Sequence, residues 1–417
     1  MNDELFEKTQ TPPTILRPLA WLMLGTPFVH SYSAPLVVPL MLAAALATIL
    51  IGGRIMVSWP TQPAKWLAAW FFALALWSVL SSLWAVEPSL VFRTFLRCFG
   101  LFVVCLLFLR VVHRLEEPDR HRFGTFLLIG LLVGLINLQI SLWTGGALRS
   151  WLQDFLHPLI GHQRPIIMPF ALDSSMTLTG LLIWPCISVV MRRWGRGPAL
   201  ALYLFGLVVI AQGGSLTAVI AYLMGGGVFL IAFSLPRRIT AGLAGIVALW
   251  MLVAPIFLQP TLTSGVTSAV PLSIGKVSSF QHRRVIWEFV IERIAERPLA
   301  GWGLGSSRAI PGGHDEVAPG IEKLPLHPHD AALQLWLELG LPGALLGCVF
   351  FVFLIRKIQA ANMNRTDYSL TMALLAAAVI NSMVSYNLWH EWWITFLILS
   401  ACSLIAVVPD SERPRHD

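Results

Sequence analysis

Residues 283–307 read RRVIWEFVIERIAERPLAGWGLGSS, and residues 326–347 read LHPHDAALQLWLELGLPGALLG. Between them lies a polar connection rich in glycine and proline. In a chain this apolar, 283–347 is the one long run dense in Arg, Glu and His, and it delivers His329 into a new hydrophobic segment that continues to about residue 355. A segment of that length is enough to cross a bilayer as helix, since a hydrocarbon core takes about 20 apolar residues. The stretch therefore pairs a membrane helix with a chemistry-bearing loop.

Outward from it, the composition agrees. Of 417 residues, 56% are hydrophobic and only 12% charged, 17 are Trp, and the mean hydropathy is +0.72. This is the profile of an all-α polytopic membrane protein, with room for roughly a dozen spans. The start, MNDELFEKTQTPP, lacks a basic region followed by a cleavage site, so no cleaved signal peptide is expected. A net charge of +7 would suggest nucleic acid in a soluble protein. Here most Lys and Arg sit in short connections, where they set topology, so no nucleic-acid partner is expected. The cysteines, Cys98, Cys105, Cys186, Cys348 and Cys402, lie in or beside apolar runs without CxxC spacing, which predicts neither a disulfide nor a thiolate metal site.

Twelve apolar runs are candidate spans: 16–31, 33–53, 65–84, 92–112, 123–143, 174–191, 198–212, 215–234, 239–258, 331–355, 368–386 and 391–408. The first and seventh are short for a bilayer. Basic residues collect in alternate connections: Arg54 and Lys65; Arg110, Arg114, Arg120 and Arg122; Arg192, Arg193 and Arg196; Arg237 and Arg238; Arg356, Lys357 and Arg365. The positive-inside rule then places both termini in the cytoplasm and 144–173 and 259–330 outside. The expected organisation is a transmembrane region over 1–258 with about nine spans, a large outer loop over 259–330, and about three more spans over 331–417 with a short tail.

The first outer segment mixes an amphipathic stretch (Trp151, Phe155, Leu156) with Arg149, His157, His162 and Arg164, which reads as an interfacial helix. The second is long, and loops of that length are usually functional. Within it Val285, Ile286, Phe289, Val290 and Ile294 recur at helical spacing until Pro298, and GWGLGSS follows as a glycine-rich turn.

His329 opens the tenth span, where the positive end of a helix dipole favours a neutral ring suited to a general base. The alternative is an interfacial histidine bonded to a loop carbonyl. Arg283 and Arg284 open the loop helix, and Trp287 lies one turn after Arg283 on the same face. Adjacent outer arginines suit phosphate, which a guanidinium grips bidentately, or else they pair with lipid headgroups, Glu288 and Glu292. Arg93 and Arg97, four residues apart at the outer start of the fourth span, could hold a lipid-linked phosphate or snorkel to headgroups. Glu338 stands in an otherwise apolar run, where an ionisable group needs a partner, an arginine of the loop helix or a proton of its own. Gly340, Gly343 and Gly347 read as close-packing positions. His390 and Glu391 read as a cap before the belt residues Trp392 and Trp393, and His327 with His329 makes a weak metal signal.

The set Arg283, Trp287, ERPLAGWGLGSS and PHDAALQLWLELGLPGALLG resembles the O-antigen ligase and O-antigen polymerase superfamily, whose pattern runs RxxxW, PxxGxGxG and HNxxLxxxxExGxxG. The close likeness covers about 280–350, and the span count and large loop agree along the chain. The resemblance implies a GT-C type glycosyltransferase that needs no metal or cofactor. Its expected donor is an undecaprenyl-diphosphate-linked glycan and its acceptor a lipid A core or another membrane-held glycan. The expected setting is the periplasmic face of a bacterial inner membrane. It implies that His329 matches the catalytic histidine and Arg283 the loop arginine, with Glu338 and the glycines at the motif's end; Arg164 falls where an earlier outer-loop arginine is expected. Two positions depart from the pattern: Asp330 stands where the family has Asn, and Leu216 follows Ser215 where it often has a Ser-Arg pair. Arg93, Arg97 or Arg284 would then supply the missing guanidinium.

The reaction expected from this is inverting glycan transfer, with His329 as base and Arg283, Arg284, Arg93, Arg97 and Arg164 drawn on for the diphosphate, and Glu338, Trp287 and Asp330 in support. Ligation of O-antigen to lipid A core leads; polymerisation of repeat units and transfer to protein are the alternatives within the superfamily. A secondary transporter would share length and composition but should carry its ionisable groups near mid-membrane in matched halves. A non-catalytic scaffold would be indifferent to the loss of His329.

Overall fold

The computed structural model describes residues 16–52, 62–147, 170–263 and 279–408, with Ser150, Trp151, Asp154 and Phe155 between them. Among these residues the architecture is all-α, thirteen helices and one small hairpin. The helices are α1 (Arg17–Tyr32), α2 (Val37–Gly52), α3 (Gln62–Leu80), α4 (Pro88–His113), α5 (Glu117–Trp143), α6 (Phe170–Trp194), α7 (Arg196–Gln212), α8 (Leu216–Ser234), α9 (Arg237–Thr263), α10 (Ser279–Glu296), α11 (Ala331–Ala360), α12 (Arg365–Val384) and α13 (Glu391–Val407). Each of the twelve expected spans lies on its own helix, and α10 is the loop helix. Among the described residues nine helices are long and apolar enough to cross a membrane, while α1, α7 and α13, of 16, 17 and 17 residues, are shorter. Leu50, Phe72 and Leu216 are 74, 70 and 71% exposed, as expected of side chains that face the apolar interior of a bilayer. The chain is a polytopic membrane protein.

The described residues form two compact units. One takes the described residues of 1–61, 103–219 and 395–411. In it α1 packs along α5, and α6 along α7. Arg120 closes the end of α13: its Nη1 donates to the carbonyls of Ile405, Ala406 and Val408 at 3.0, 3.0 and 2.9 Å, groups that a helix C-terminus leaves without partners.

The other unit takes the described residues of 62–102, 220–394, and it holds the decisive stretch. Here α11 packs on α9, α3 and α10, and it is broken. Gly340 has φ 64° and ψ −158°, and Pro342 follows without an N–H. The break takes the helical partners from several carbonyls, which inside a membrane is costly unless other donors arrive. They do: Trp302 N–H reaches Leu337 O at 2.9 Å, Gly303 N–H reaches Glu338 O at 2.8 Å, and Trp77 Nε1 reaches Leu339 O at 2.8 Å. In return Leu341 N–H donates to Pro298 O at 2.9 Å. The segment PLAGWG is thus threaded against the broken helix, with Gly301 and Gly340 facing each other. A Cβ on Gly301 would lie 2.6 Å from the Glu338 carbonyl, and one on Gly340 would lie 2.5 Å from Leu299 O. Gly340 therefore serves a break and a backbone crossing, a closer approach than the helix packing its spacing suggested.

Helix α10 buries Ile286, Phe289, Val290, Ile291 and Ile294 against Trp302, Leu304, Ile310, Leu324, Leu333 and Leu337. Removing each such side chain from water is worth about 1.5–3 kcal/mol. The periodicity seen in the sequence is therefore the face that fixes α10 on the start of α11; Val285 is the one predicted position left half-buried. The hairpin β1 (Glu316–Ala318) and β2 (Ile321–Glu322) closes the loop, tied by His314 Nδ1 to Glu322 at 2.8 Å and Lys323 to Asp315 at 3.3 Å.

Candidate functional site

The site is built around the peptide His327-Pro328-His329-Asp330, where the loop turns into α11. Asp330 is the N-cap: its carboxylate accepts from Leu333 N–H at 2.8 Å, satisfying one of the free donors of the first turn. Asn and Asp perform this task about equally well, so the substitution of Asp for the expected Asn preserves the local structure. Burial raises the Asp330 carboxyl to about 6, against the hydrogen bonds from Leu333, Ala332 and the Trp250 side chain that favour its charge.

His329 stands just before the cap, outside the helix, with φ 56°; among the described residues it is the one non-glycine residue with positive φ. Its Nδ1 lies 2.9 Å from the carbonyl of Ser385. A carbonyl only accepts, so Nδ1 carries the proton and Nε2 keeps its lone pair. Burial brings the imidazole down to about 4, opposed by the bond to Ser385 and reinforced by the charges of Arg283 and His282. The ring is neutral at physiological pH for a reason the sequence did not give, since desolvation leads and no helix-end contribution is needed.

Trp287 fixes the approach of α10. Its Nε1 donates to Pro328 O at 2.9 Å, which ties the helix to the peptide immediately before His329. Arg283, one turn earlier on the same face and half-buried, lies close enough for its charge to depress both His327 and His329. Arg284 looks elsewhere: its charge acts on Glu288, whose carboxyl is raised by burial and by Glu292 and lowered by Arg284. The charge of Arg283 thus acts on the two histidines and that of Arg284 on Glu288 of its own helix.

On α4, Arg97 is 57% exposed and pairs with Glu391 at 3.6 Å, while Arg93 is exposed one turn earlier. Glu391 also lies 4.0 Å from His390 Nδ1. Burial, with the charges of Arg308 and Arg97, lowers His390, and Glu391 acts the other way. Arg308, exposed at the end of the glycine-rich turn, acts on both His327 and His390. Sequence reasoning passed over it because no helical spacing links it to the other basic residues. Arg164 lies outside the described residues, as does much of the amphipathic stretch around it; Trp151 and Phe155 are exposed and stack at 5.8 Å.

Glu338 is fully buried and fully partnered, without an arginine. Oε2 accepts from Gly305 N–H at 2.6 Å and from Trp389 Nε1 at 2.6 Å; Oε1 accepts from Ser307 Oγ and from Gln334 Nε2 at 3.2 Å. Gln334 continues to Asn387 Oδ1 at 3.0 Å and accepts from Leu388 N–H at 3.1 Å. One carboxylate thus joins the glycine-rich turn, α11 and the segment 385–390 that supplies Ser385 to His329. Among the described residues, no group of three or more His, Cys, Asp and Glu is placed to hold a metal ion.

Residues 199–348, which contain His329, Glu338, Arg283 and the helix break, match the family model described as O-antigen ligase. Two relatives, each named "Putative polysaccharide ligase", come from Rickettsia felis and Rickettsia prowazekii. The first is 27% identical over 342 residues, 76% of this chain and 75% of its own length. The second is 28% identical over 331 residues, 76% of this chain and 75% of its own length. That match falls on the broken helix and the loop docked into it, so over residues 199–348 the chain is similar to the O-antigen ligase family.

Proposed function

We propose that this protein transfers a glycan from undecaprenyl diphosphate to a membrane-held acceptor, and that the transfer it performs is ligation of O-antigen to lipid A core. The observation that carries the proposal is the His329 ring: its Nδ1–H is committed to Ser385 O, its Nε2 lone pair is left over, and the charge of Arg283 reaches it. A neutral imidazole with a fixed tautomer is what a general base for a sugar hydroxyl requires. Nε2 takes the acceptor hydroxyl's proton, the oxygen attacks the anomeric carbon from the face opposite the diphosphate, and the bond to the leaving phosphate breaks with inversion.

Charge grows on the diphosphate as it leaves, and guanidinium groups stabilise it. Arg283 is the first of these. Arg308, Arg93 and Arg97 are the exposed arginines of the same unit that can add to it. The energy for transfer resides in the donor's phosphoglycosyl bond, so no nucleotide or other cofactor is called for. In this reading 259–330 is a periplasmic loop between a nine-span region over 1–258 and a three-span region over 331–417, both termini are cytoplasmic, and the chain sits in a bacterial inner membrane.

The test is complementation of ligase-null cells with wild type, His329→Ala and Arg283→Ala, followed by gel analysis of lipopolysaccharide. Capped lipid A core with wild type and none with either variant supports ligation. Longer chains without capping of the core identify a polymerase instead, and normal capping by His329→Ala removes the base.

A further inference from the structure

We propose that His327 is a positioning residue for this transfer, its Nδ1 holding the backbone of His329 in the left-handed turn that aims the catalytic imidazole. The proposal rests on the reading of His329 as the base and extends it to a residue two positions away.

The turn itself needs a holder. His329 has φ 56°, a conformation that an L side chain with a Cβ adopts only where its surroundings impose it. Three contacts surround it: Trp287 fixes the carbonyl of Pro328, Ser385 takes the proton of Nδ1, and His327 accepts the His329 backbone N–H on its own Nδ1 at 3.2 Å. Trp287 and His327 grip the two polar ends of the one planar peptide that joins Pro328 to His329, and Ser385 holds the ring beyond the twisted bond. Among these, His327 is the partner of the His329 N–H.

The chemistry of the tripeptide explains how. Pro328 locks one dihedral and keeps the residue before it out of the helical region, so the side chain at 327 can fold forward over the proline. A side-chain acceptor bonded to the N–H two residues on is the arrangement that Asn and Asp make in an Asx-turn, with Nδ1 here in place of Oδ1. His327 is 7% exposed and its ring lies 4.0 Å from that of His329, centroid to centroid. Accepting at Nδ1 requires that nitrogen to be bare, which fixes His327 as the Nε2–H tautomer, the reverse of His329. Burial leads, and the neighbouring His329, His390, Arg308 and Arg283 all disfavour a second positive charge, so the His327 ring is held far below its ordinary value. Nδ1 therefore stays an acceptor throughout the working range.

The position of the acceptor atom gives the test. The Oδ1 of Asn falls near Nδ1 of His, whereas the Oε1 of Gln falls near Nε2. The full-length wild type, His327→Asn, His327→Gln and His329→Ala are purified in detergent and assayed with an undecaprenyl-diphosphate-linked O-antigen donor and lipid A core acceptor. Thermal unfolding checks that each variant folds, and His327→Ala takes the place of the Gln variant should that one unfold. The expected result is that His327→Asn keeps most of the wild-type kcat, while His327→Gln or His327→Ala loses at least about tenfold in kcat with the donor KM within about twofold. Asn and Gln or Ala variants of equal kcat, at any level, overturn the proposal. A fully active His329→Ala variant would instead overturn the reading of the base, so the two failures are distinguishable.

Discussion

Trp287 donates its indole N–H to the carbonyl of Pro328 at 2.9 Å, so the helix that carries Arg283 is bonded to the peptide that precedes His329. This gives the spacing of Arg283 and Trp287 a physical meaning. Four residues put the two on one helix face, and anchoring the indole to the backbone beside His329 keeps Arg283 within electrostatic reach of the imidazole.

Trp287→Phe keeps the apolar ring and removes the donor. The cost in stability should be about 1 kcal/mol, the net worth of one such bond, plus what the bare carbonyl adds. Transfer should fall more than stability does, about tenfold, because Arg283 and His329 lose their common frame. Thermal unfolding and initial rates on the same preparation check this; an unchanged rate would separate the indole from the site.

The pH profile follows from His329 and Asp330. The base works neutral, and with the ring held at about 4, kcat/KM should stay level well below pH 6.5 before falling. Between about 4 and 6.5 the unfolded chain binds a proton at this position that the folded chain does not, so this group's contribution to stability is present above 6.5 and lost as pH falls. Asp330 has the opposite sign: its carboxyl is raised to about 6, so its contribution is present at low pH and lost as pH rises through that value. Asp330→Asn removes this second titration and keeps the cap. The variant should transfer within about threefold of wild type at neutral pH, since the two caps differ little, with a single acid limb near 4. A limb near 6.5 in that variant would mean that His329 is not shielded.

Glu338→Gln tests the carboxylate that joins three segments. Both oxygens accept two bonds, and an amide would turn its NH2 toward donors already in place, leaving at least one of them bare at about 1–3 kcal/mol. Unfolding at a clearly lower temperature is expected, and activity should fall with it because the segment 385–390 carries Ser385. An unchanged melting temperature would show that the network is not under tension to stay complete.

Much of this was legible in the sequence. Each of the twelve apolar runs falls on a helix, nine of the described helices being long and apolar enough to cross a membrane, and the spacing of Ile286, Phe289, Val290 and Ile294 marked both α10 and its buried face. What escaped was whatever depends on a partner far along the chain. The break at Gly340 and Pro342 looked like a packing motif, because hydropathy reports an unbroken run while the donors that make a break tolerable come from Trp77, Trp302 and Gly303. Glu338 looked like a candidate for an arginine because its actual partners, a backbone N–H, a hydroxyl, an amide and an indole, carry no charge pattern. The role of His327 depends on a backbone angle at His329, and nothing in the letters His-Pro-His records that angle.

The central claim is that the free Nε2 of His329 takes the proton from the acceptor. Its most direct test is the rate of glycan transfer by purified His329→Ala against wild type, with donor binding measured on the same samples. A loss of about 10²–10⁴-fold in rate with donor affinity preserved is the predicted result. Transfer at the wild-type rate by a folded His329→Ala protein would contradict it.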